Sequence, residues 1–297
     1  MKPAGVVVKF RRNPNAALAA ICLMMRGRNI ASAKIIGAVL LATLLVRPAA
    51  QPIALTELSG VAHGYPALRD LNGTKLADAE FMQWVEDDRL HIRLIYRFKD
   101  GRRIEEKAVL RQQPEVVQDE WSWRESKGEE VLREFGVNFG AKTATAQKRE
   151  KGEMKHWEEK IAVEPGKTFV GFGFTVALQN LRKRLLAREQ IELKAIGFTP
   201  KPQMVSVQIS HVGADRMEMS GRRLKGDRFL IHPDIPAVAK IFVHAPDTYI
   251  WLTNPAPAGF LRWEGPFGEP SDPIARVDLL SGEESGPAQP VKSDESD

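Results

Sequence analysis

The tripeptide Gly166-Lys167-Thr168 is the part of the chain that most resembles a catalytic motif, since it separates a strand-like run from a helix-like run. A phosphate-binding loop has the pattern Gly-x-x-x-x-Gly-Lys-Ser/Thr, in which consecutive backbone N–H groups wrap the phosphates. Here Ile161 stands where the first glycine is needed, and Pro165 has no N–H to donate. We therefore predict a Pro-Gly turn and no nucleotide site, with Thr168 as the N-cap of the following helix.

A second candidate for chemistry is the pair His211 and Asp215, four residues apart. His211 continues an apolar face that includes Ile209. Such a pair can do acid–base work in a hydrolase, or it can be a satisfied polar pair at the end of a strand. The structural role is the favoured interpretation, so no catalytic residue is predicted and a hydrolase remains an alternative.

Other catalytic and metal-binding patterns are missing from the sequence. The chain has no His-Glu-x-x-His motif and no Gly-x-Ser-x-Gly elbow, and its six histidines are scattered. Its only cysteine is Cys22. We predict no metal site and no cofactor.

The positive charge of the chain is concentrated at its N-terminus. The chain has 43 basic and 38 acidic residues, but residues 1–54 hold eight of the basic ones and no acidic one. The rest of the chain therefore has a net charge of −3. A body with this balance is not a trap for phosphates, so nucleic acid is not an expected partner.

The N-terminal segment has the pattern of an export leader. Lys34 is followed by twelve uncharged residues, 35–46, and then by Arg47-Pro-Ala-Ala. A basic segment, a short apolar run and small residues are typical of a signal peptide. We predict a leader over 1–54, with cleavage after Ala50 and with Met24 or Met25 as alternative starts. This places the protein in the periplasm or cell envelope, tethered to the membrane if the leader is not cleaved.

The body, residues 55–280, is predicted to be one mainly β domain. Apolar and polar residues alternate from Arg89 to Phe98, and Asp100-Gly101 is a strong turn signal, so residues 89–111 form a hairpin. Short turns between strands favour antiparallel pairing. The further predicted strands are 116–125, 130–139, 143–149, 154–163, 191–198, 204–212, 216–224, 228–232, 248–252, 260–267 and 275–280. A minor helical piece is expected at 237–241 and a disordered tail at 281–297.

One long helix, residues 168–188, is predicted from an apolar stripe. The stripe is Phe174, Leu178, Leu181 and Leu185. A twisted antiparallel sheet curls, and this helix can fill its concave side. The predicted fold is therefore a curved antiparallel sheet, or open half-barrel, wrapped around one long central helix.

The start of this helix is the predicted ligand site. Gly171 and Gly173 indicate either a close approach of helix and sheet, which is the favoured interpretation, or space for an apolar ligand. The residues expected to bind the ligand are Phe172, Phe174 and Leu178, with Trp251 at the rim.

The order of these elements resembles that of exported bacterial families whose curved open sheets wrap a helix, similar in shape to the carriers of outer-membrane lipoproteins. The resemblance covers residues 55–280, with 169–188 as the inner helix. It implies an envelope protein that binds an acyl chain or a protein partner. The function expected is a non-catalytic binding module for a lipid or a lipidated protein. An envelope scaffold with a filled core, which binds a protein partner, is the alternative from another class.

Overall fold

A computed structural model describes residues 51–219, 221–234, 245–279 and 289–290. These residues belong to one compact unit, which spans Ala50–Asp297. The predicted leader up to residue 50 and the predicted helical piece at 237–241 lie outside the described residues, as does the predicted tail apart from two positions. Among the described residues, none of the helical structure is long and apolar enough to cross a bilayer.

The unit is mainly β, with one open, curved sheet. Its strands are β1 (Ala62–Gly64), β2 (Ala67–Arg69), β3 (Lys75–Glu86), β4 (Arg89–Phe98), β5 (Arg102–Arg111), β6 (Val117–Lys127), β7 (Glu130–Asn138), β8 (Thr143–Glu150), β9 (Glu153–Lys160), β10 (Thr168–Phe169), β11 (Ile191–Phe198), β12 (Pro202–Met219), β13 (Arg222–Pro233), β14 (Thr248–Thr253), β15 (Phe260–Pro266), β16 (Ile274–Asp278) and β17 (Gln289–Pro290). In the described part of the chain there is one helix, α1 (Gly173–Leu186).

Fifteen of these strands form one continuous row of hydrogen-bonded neighbours, while β1 pairs with β3 and β17 pairs with β12. The row starts at β10, runs in order to β16, continues through β2, and then runs in order to β9. The N-terminal and C-terminal strands meet where Leu68 of β2 pairs with Val277 of β16. All pairs are antiparallel except β10 with β11. Within the described residues β9 and β10 each pair with a single strand, so the sheet does not close into a barrel.

The predicted β4–β5 hairpin is confirmed, with Gly101 at positive φ in its turn. The predicted break near Gly213 is wrong, because β12 is one long strand and Gly213 is only a bulge in its pairing with β13. The chain reverses instead at Gly221, which has a φ of +69°. Strand β3 was not predicted from the sequence, although Asp87 and Asp88 at positive φ form its tight turn into β4.

The predicted long helix over 168–188 is wrong in length, since α1 has 14 residues and begins at Gly173. Thr168 is not its N-cap. It lies in β10, and its hydroxyl accepts a hydrogen bond from the backbone N–H of Glu164 at 2.9 Å. That bond stabilises the predicted turn at Pro165-Gly166, in which Gly166 has a φ of +71°. The five residues before α1 form this short strand and a second turn instead of a first helical turn.

The apolar stripe of α1 is buried as predicted: Phe174, Leu178, Leu181 and Leu185 all belong to the main hydrophobic core. Strands from both halves of the sheet contribute to the same core. A second, smaller cluster consists of Met217, Met219, Trp251 and Leu261. Neighbouring residues of a strand point to opposite faces, so the second cluster lies on the other face of the sheet from the main core.

The segment before β1 is attached to the body upstream of the predicted boundary at Leu55. Ile53 is 1% exposed, and its backbone bonds to Gly166 and Val116. Further along the segment, the side chain of Asn180 in α1 accepts hydrogen bonds from the backbone N–H groups of Thr56 and Glu57. The packed body of the protein therefore already includes Ile53, two residues before the predicted boundary.

Candidate functional site

A cavity of about 250 Å³ lies between the first turn of α1 and the strands of the sheet. We call it the Glu106 cavity, after the one acidic side chain among the lining residues that the structure describes. Its lining is mostly apolar and rich in rings. The aromatic lining residues are Tyr96, Trp121, Trp123, Phe172, Phe174, Phe198, Phe260, Trp263 and Phe267.

The carboxyl group of Glu106 is fixed by one of its two oxygens. Oε1 accepts a hydrogen bond from Nε1 of Trp121 at 2.9 Å and another from the backbone N–H of Phe172 at 2.7 Å. No described residue hydrogen-bonds to Oε2 of the same carboxyl group. Because Glu106 lines the cavity and is only half-buried, its remaining accessible surface faces the cavity.

Burial raises the pKa of Glu106 above its ordinary value, although the hydrogen bonds from Trp121 and Phe172 act in the opposite direction. Burial, followed by the nearby charge of Glu106, also raises the pKa of Tyr96 well above its ordinary value. Among the described lining residues there is no lysine, arginine or histidine. The ionised form of Glu106 therefore has no counter-charge in the wall of the cavity.

The alternation of β5 places Glu106 inside the molecule. Its neighbours on the same face, Ile104 and Ala108, are both 1% exposed and belong to the core. Residues two apart on a strand share a face. Glu106 was not predicted as a site residue. A signal was present nevertheless, because Glu106 stands between Ile104 and Ala108 on one face of the second strand of the predicted hairpin.

Two glycines allow the start of α1 to approach the sheet. Gly171 has a φ of +54°, and a Cβ added there would overlap Oε1 of Glu106 and Nε1 of Trp121. A Cβ added at Gly173 would overlap the side-chain amide of Gln118. That amide accepts from the backbone N–H of Val170 and donates to its carbonyl. Close approach thus explains both glycines, and the cavity lies directly beside them.

The predicted ligand residues have different surroundings. Phe172 and Phe174 line the Glu106 cavity. Leu178, one helical turn further on, is fully buried in the core and is not among the lining residues. Trp251 lies in the second cluster on the other face of the sheet, where its indole donates to Asp215 at 2.7 Å, and so it is not at the rim of this cavity. Ligand contact by these residues stays a prediction.

His211 and Asp215 do not form a hydrogen-bonded pair. Nε2 of His211 is nearest to a different carboxylate, Asp227, at 3.9 Å. Asp215 is 2% exposed and interacts with Trp251 and Arg228. The geometry gives the hydrolase alternative no support. In the described part of the chain, no group of three or more His, Cys, Asp or Glu residues could hold a metal ion.

Gly171→Ala should lower the free energy of unfolding by at least about 2 kcal/mol, because a side chain at this φ is strained and its methyl group overlaps Glu106 and Trp121. Gly60→Ala is the matched control, since an added Cβ there meets no atom within 4 Å. It should change stability by less than about 0.5 kcal/mol. Urea unfolding measures both, and equal stability of the two variants would contradict the close approach.

Glu106→Gln should become more stable relative to the wild type as pH rises. Gln keeps an acceptor for Trp121 and Phe172 but cannot ionise. Because the folded pKa of Glu106 is raised, the unfolded chain loses its proton first, and wild-type stability falls between the ordinary and the raised pKa. Urea unfolding from about pH 4 to about pH 8 tests this.

Glu105→Gln is the control of opposite sign. Glu105 is the next residue of β5, and its pKa is lowered despite partial burial because Arg93 and Lys107 hydrogen-bond to it. Its ion pairs stabilise the fold as the pH rises from the lowered pKa to the ordinary value of 4.5. With the series extended down to about pH 3, Glu105→Gln should lose stability relative to the wild type up to about pH 5 and keep a constant difference above it. Parallel pH profiles for the two variants would contradict the assignment of Glu106 to an uncompensated interior site.

Comparison with protein-family models, curated proteins and solved structures finds no match to this chain. The likeness in element order to lipoprotein carriers stays a prediction. A function for the chain must therefore come from the chemistry of its own site, and the Glu106 cavity is the candidate with the most defined geometry.

Proposed function

We propose that this chain is a non-catalytic binding module of the cell envelope, and that its ligand is a lipid or the lipid chain of a lipidated protein. The observation that carries the proposal is the apolar, ring-lined Glu106 cavity beside Phe172 and Phe174. An apolar cavity with one oriented polar group is the usual design of a small-molecule site. The apolar walls supply affinity, and the carboxyl group supplies orientation.

The size of the cavity limits the ligand. At about 250 Å³ it is slightly smaller than most ligand pockets, which start at about 300 Å³. It therefore suits one apolar chain or a small amphiphile better than a whole phospholipid. Each square ångström of apolar ligand surface removed from water would contribute about 25 cal/mol.

The architecture of the site is part of the proposal. We infer that the open sheet acts as a half-barrel, with α1 as the filling of its concave side and with the ligand beside the first turn of the helix. The buried stripe of α1 supports this, since Leu178, Leu181 and Leu185 pack in the same core as the strands. In this arrangement the helix fills most of the hollow and leaves the Glu106 cavity for the ligand.

Two other hypotheses from the sequence receive less support. A scaffold protein would need only a filled core and working outer surfaces, and the Glu106 cavity leaves the core incompletely filled. A hydrolase would need His211 and Asp215 to act together, but the two do not hydrogen-bond to each other. Asp215 accepts from Trp251, and the carboxylate near His211 is that of Asp227.

Native mass spectrometry of the gently purified protein should detect a bound apolar ligand. Ala195→Phe should abolish this adduct, because Ala195 lines the cavity and the larger side chain occupies its volume. Ala141→Phe introduces the same group at an exposed turn and should leave the adduct unchanged. Absence of an adduct from the wild type, or equal adducts in the wild type and in Ala195→Phe, would contradict the proposal.

The envelope location rests on the leader pattern of residues 1–54. N-terminal sequencing of the protein from a periplasmic extract should begin at Gln51, directly after the predicted cleavage point. A chain that retains the leader in the membrane fraction would support the tethered form instead. Recovery of the full chain in the cytoplasmic fraction alone would contradict export.

A further inference from the structure

We propose that the ligand of the Glu106 cavity carries a protonated amine on an apolar body, with the nitrogen bound to Oε2 of Glu106. This inference deepens the proposed function and rests on it, since it names the chemical class of the polar group on the apolar ligand. Three features of the described residues support it: the fixed carboxyl group, the missing counter-charge and the aromatic walls.

The carboxyl group is oriented before any ligand arrives. The indole of Trp121 and the backbone of Phe172 both donate to Oε1, so rotation of the group would break two hydrogen bonds. Gly171 closes the space on the Oε1 side, because even a methyl group at this residue would overlap that oxygen. Oε2 is left for the cavity. A pre-oriented acceptor loses little conformational entropy when a ligand donor binds to it.

The described lining residues offer no positive charge to an ionised carboxylate. Of the lining side chains that the structure describes, only Glu106 and Tyr96 can ionise, and both become negative when they do so. A ligand with a protonated amine would supply the counter-charge and a charge-assisted hydrogen bond together. An alcohol supplies the hydrogen bond alone, and a carboxylate ligand would be repelled.

Aromatic rings surround the same space. Trp121, Trp123 and Tyr96 line the cavity together with Glu106 and give it a large apolar ring surface. The carboxyl group is therefore a polar point in an otherwise mostly apolar wall. The same walls accommodate the apolar body of the ligand, so one cavity can hold both parts of an amphiphilic amine.

The test uses three probes of equal chain length: octylamine, octanol and octanoate, at about pH 7.5, where the amine is protonated. The two charged probes are kept below their micelle concentrations and octanol below its solubility limit. Binding is followed by the fluorescence of the tryptophans that line the cavity. The wild type should bind octylamine at least about tenfold more tightly than octanol, as expected for a hydrogen bond to a charged partner. Octanoate should bind most weakly.

Two variants test whether the preference for octylamine over octanol comes from the carboxyl group of Glu106. Glu106→Gln should bring octylamine and octanol to within about threefold of each other while octanol binding persists, because the apolar walls are unchanged. Glu105→Gln removes a carboxylate from the other face of β5 and should keep the wild-type preference. Thermal unfolding of each variant shows whether it is folded under the conditions of the titration.

The outcomes separate the inference from the proposed function. If octanol or octanoate binds the wild type as tightly as octylamine, or if Glu106→Gln retains the preference, the amine assignment is wrong while an apolar ligand site still stands. If none of the three probes binds the wild type, both the inference and the proposed function fail.

Discussion

The two hydrogen bonds that Oε1 of Glu106 accepts, from the indole of Trp121 and from the backbone of Phe172, connect three elements of the fold. Glu106 belongs to β5, Trp121 to the neighbouring β6, and Phe172 immediately precedes α1. The carboxyl group therefore fixes where the helix starts relative to the sheet. A negative charge is also favourable at this end of a helix, where the backbone N–H groups carry partial positive charge.

Burying a carboxyl group is costly, and the raised pKa of Glu106 is the direct expression of that cost. The surroundings only partly compensate, since both hydrogen bonds act on the same oxygen. Oε2 stays accessible from the cavity and accepts a hydrogen bond from no described residue. A ligand with a hydrogen-bond donor would complete the hydrogen bonding of the carboxyl group, as expected for the proposed amphiphile.

Much of the sheet could be predicted because its signals are local. The alternation in β4 and the turn at Asp100-Gly101 specify a hairpin without knowledge of the rest of the chain. The burial of the stripe in α1 follows in the same way from helical periodicity. The start of the helix was not predicted, since one of the contacts beside it joins Phe172 to Glu106, which is 66 residues away in sequence. No local rule could show that Thr168 would cap a turn instead of the helix.

The candidate site was predictable only in part. Phe172 and Phe174 line the cavity because they flank the turn that Gly171 and Gly173 make possible. The position of Trp251 was predicted wrongly because the sequence does not show toward which face of the sheet a strand tryptophan points. Its neighbours Ile250 and Leu252 point into the main core, so Trp251 points to the opposite face. Glu106 itself was visible as an acidic residue on an apolar face. Its meaning depends on tertiary contacts with Trp121 and Phe172, which sequence spacing does not reveal.

A crystal structure of the protein in complex with octylamine would show whether the amine binds to Glu106. Density for the alkyl chain should lie inside the Glu106 cavity, between the rings of Phe172 and Phe198, with the nitrogen within hydrogen-bonding distance of Oε2 of Glu106. Oε1 should keep its bonds to Trp121 and Phe172. A cavity filled by rearranged side chains, or an amine bound anywhere but at Glu106, would contradict the amine assignment.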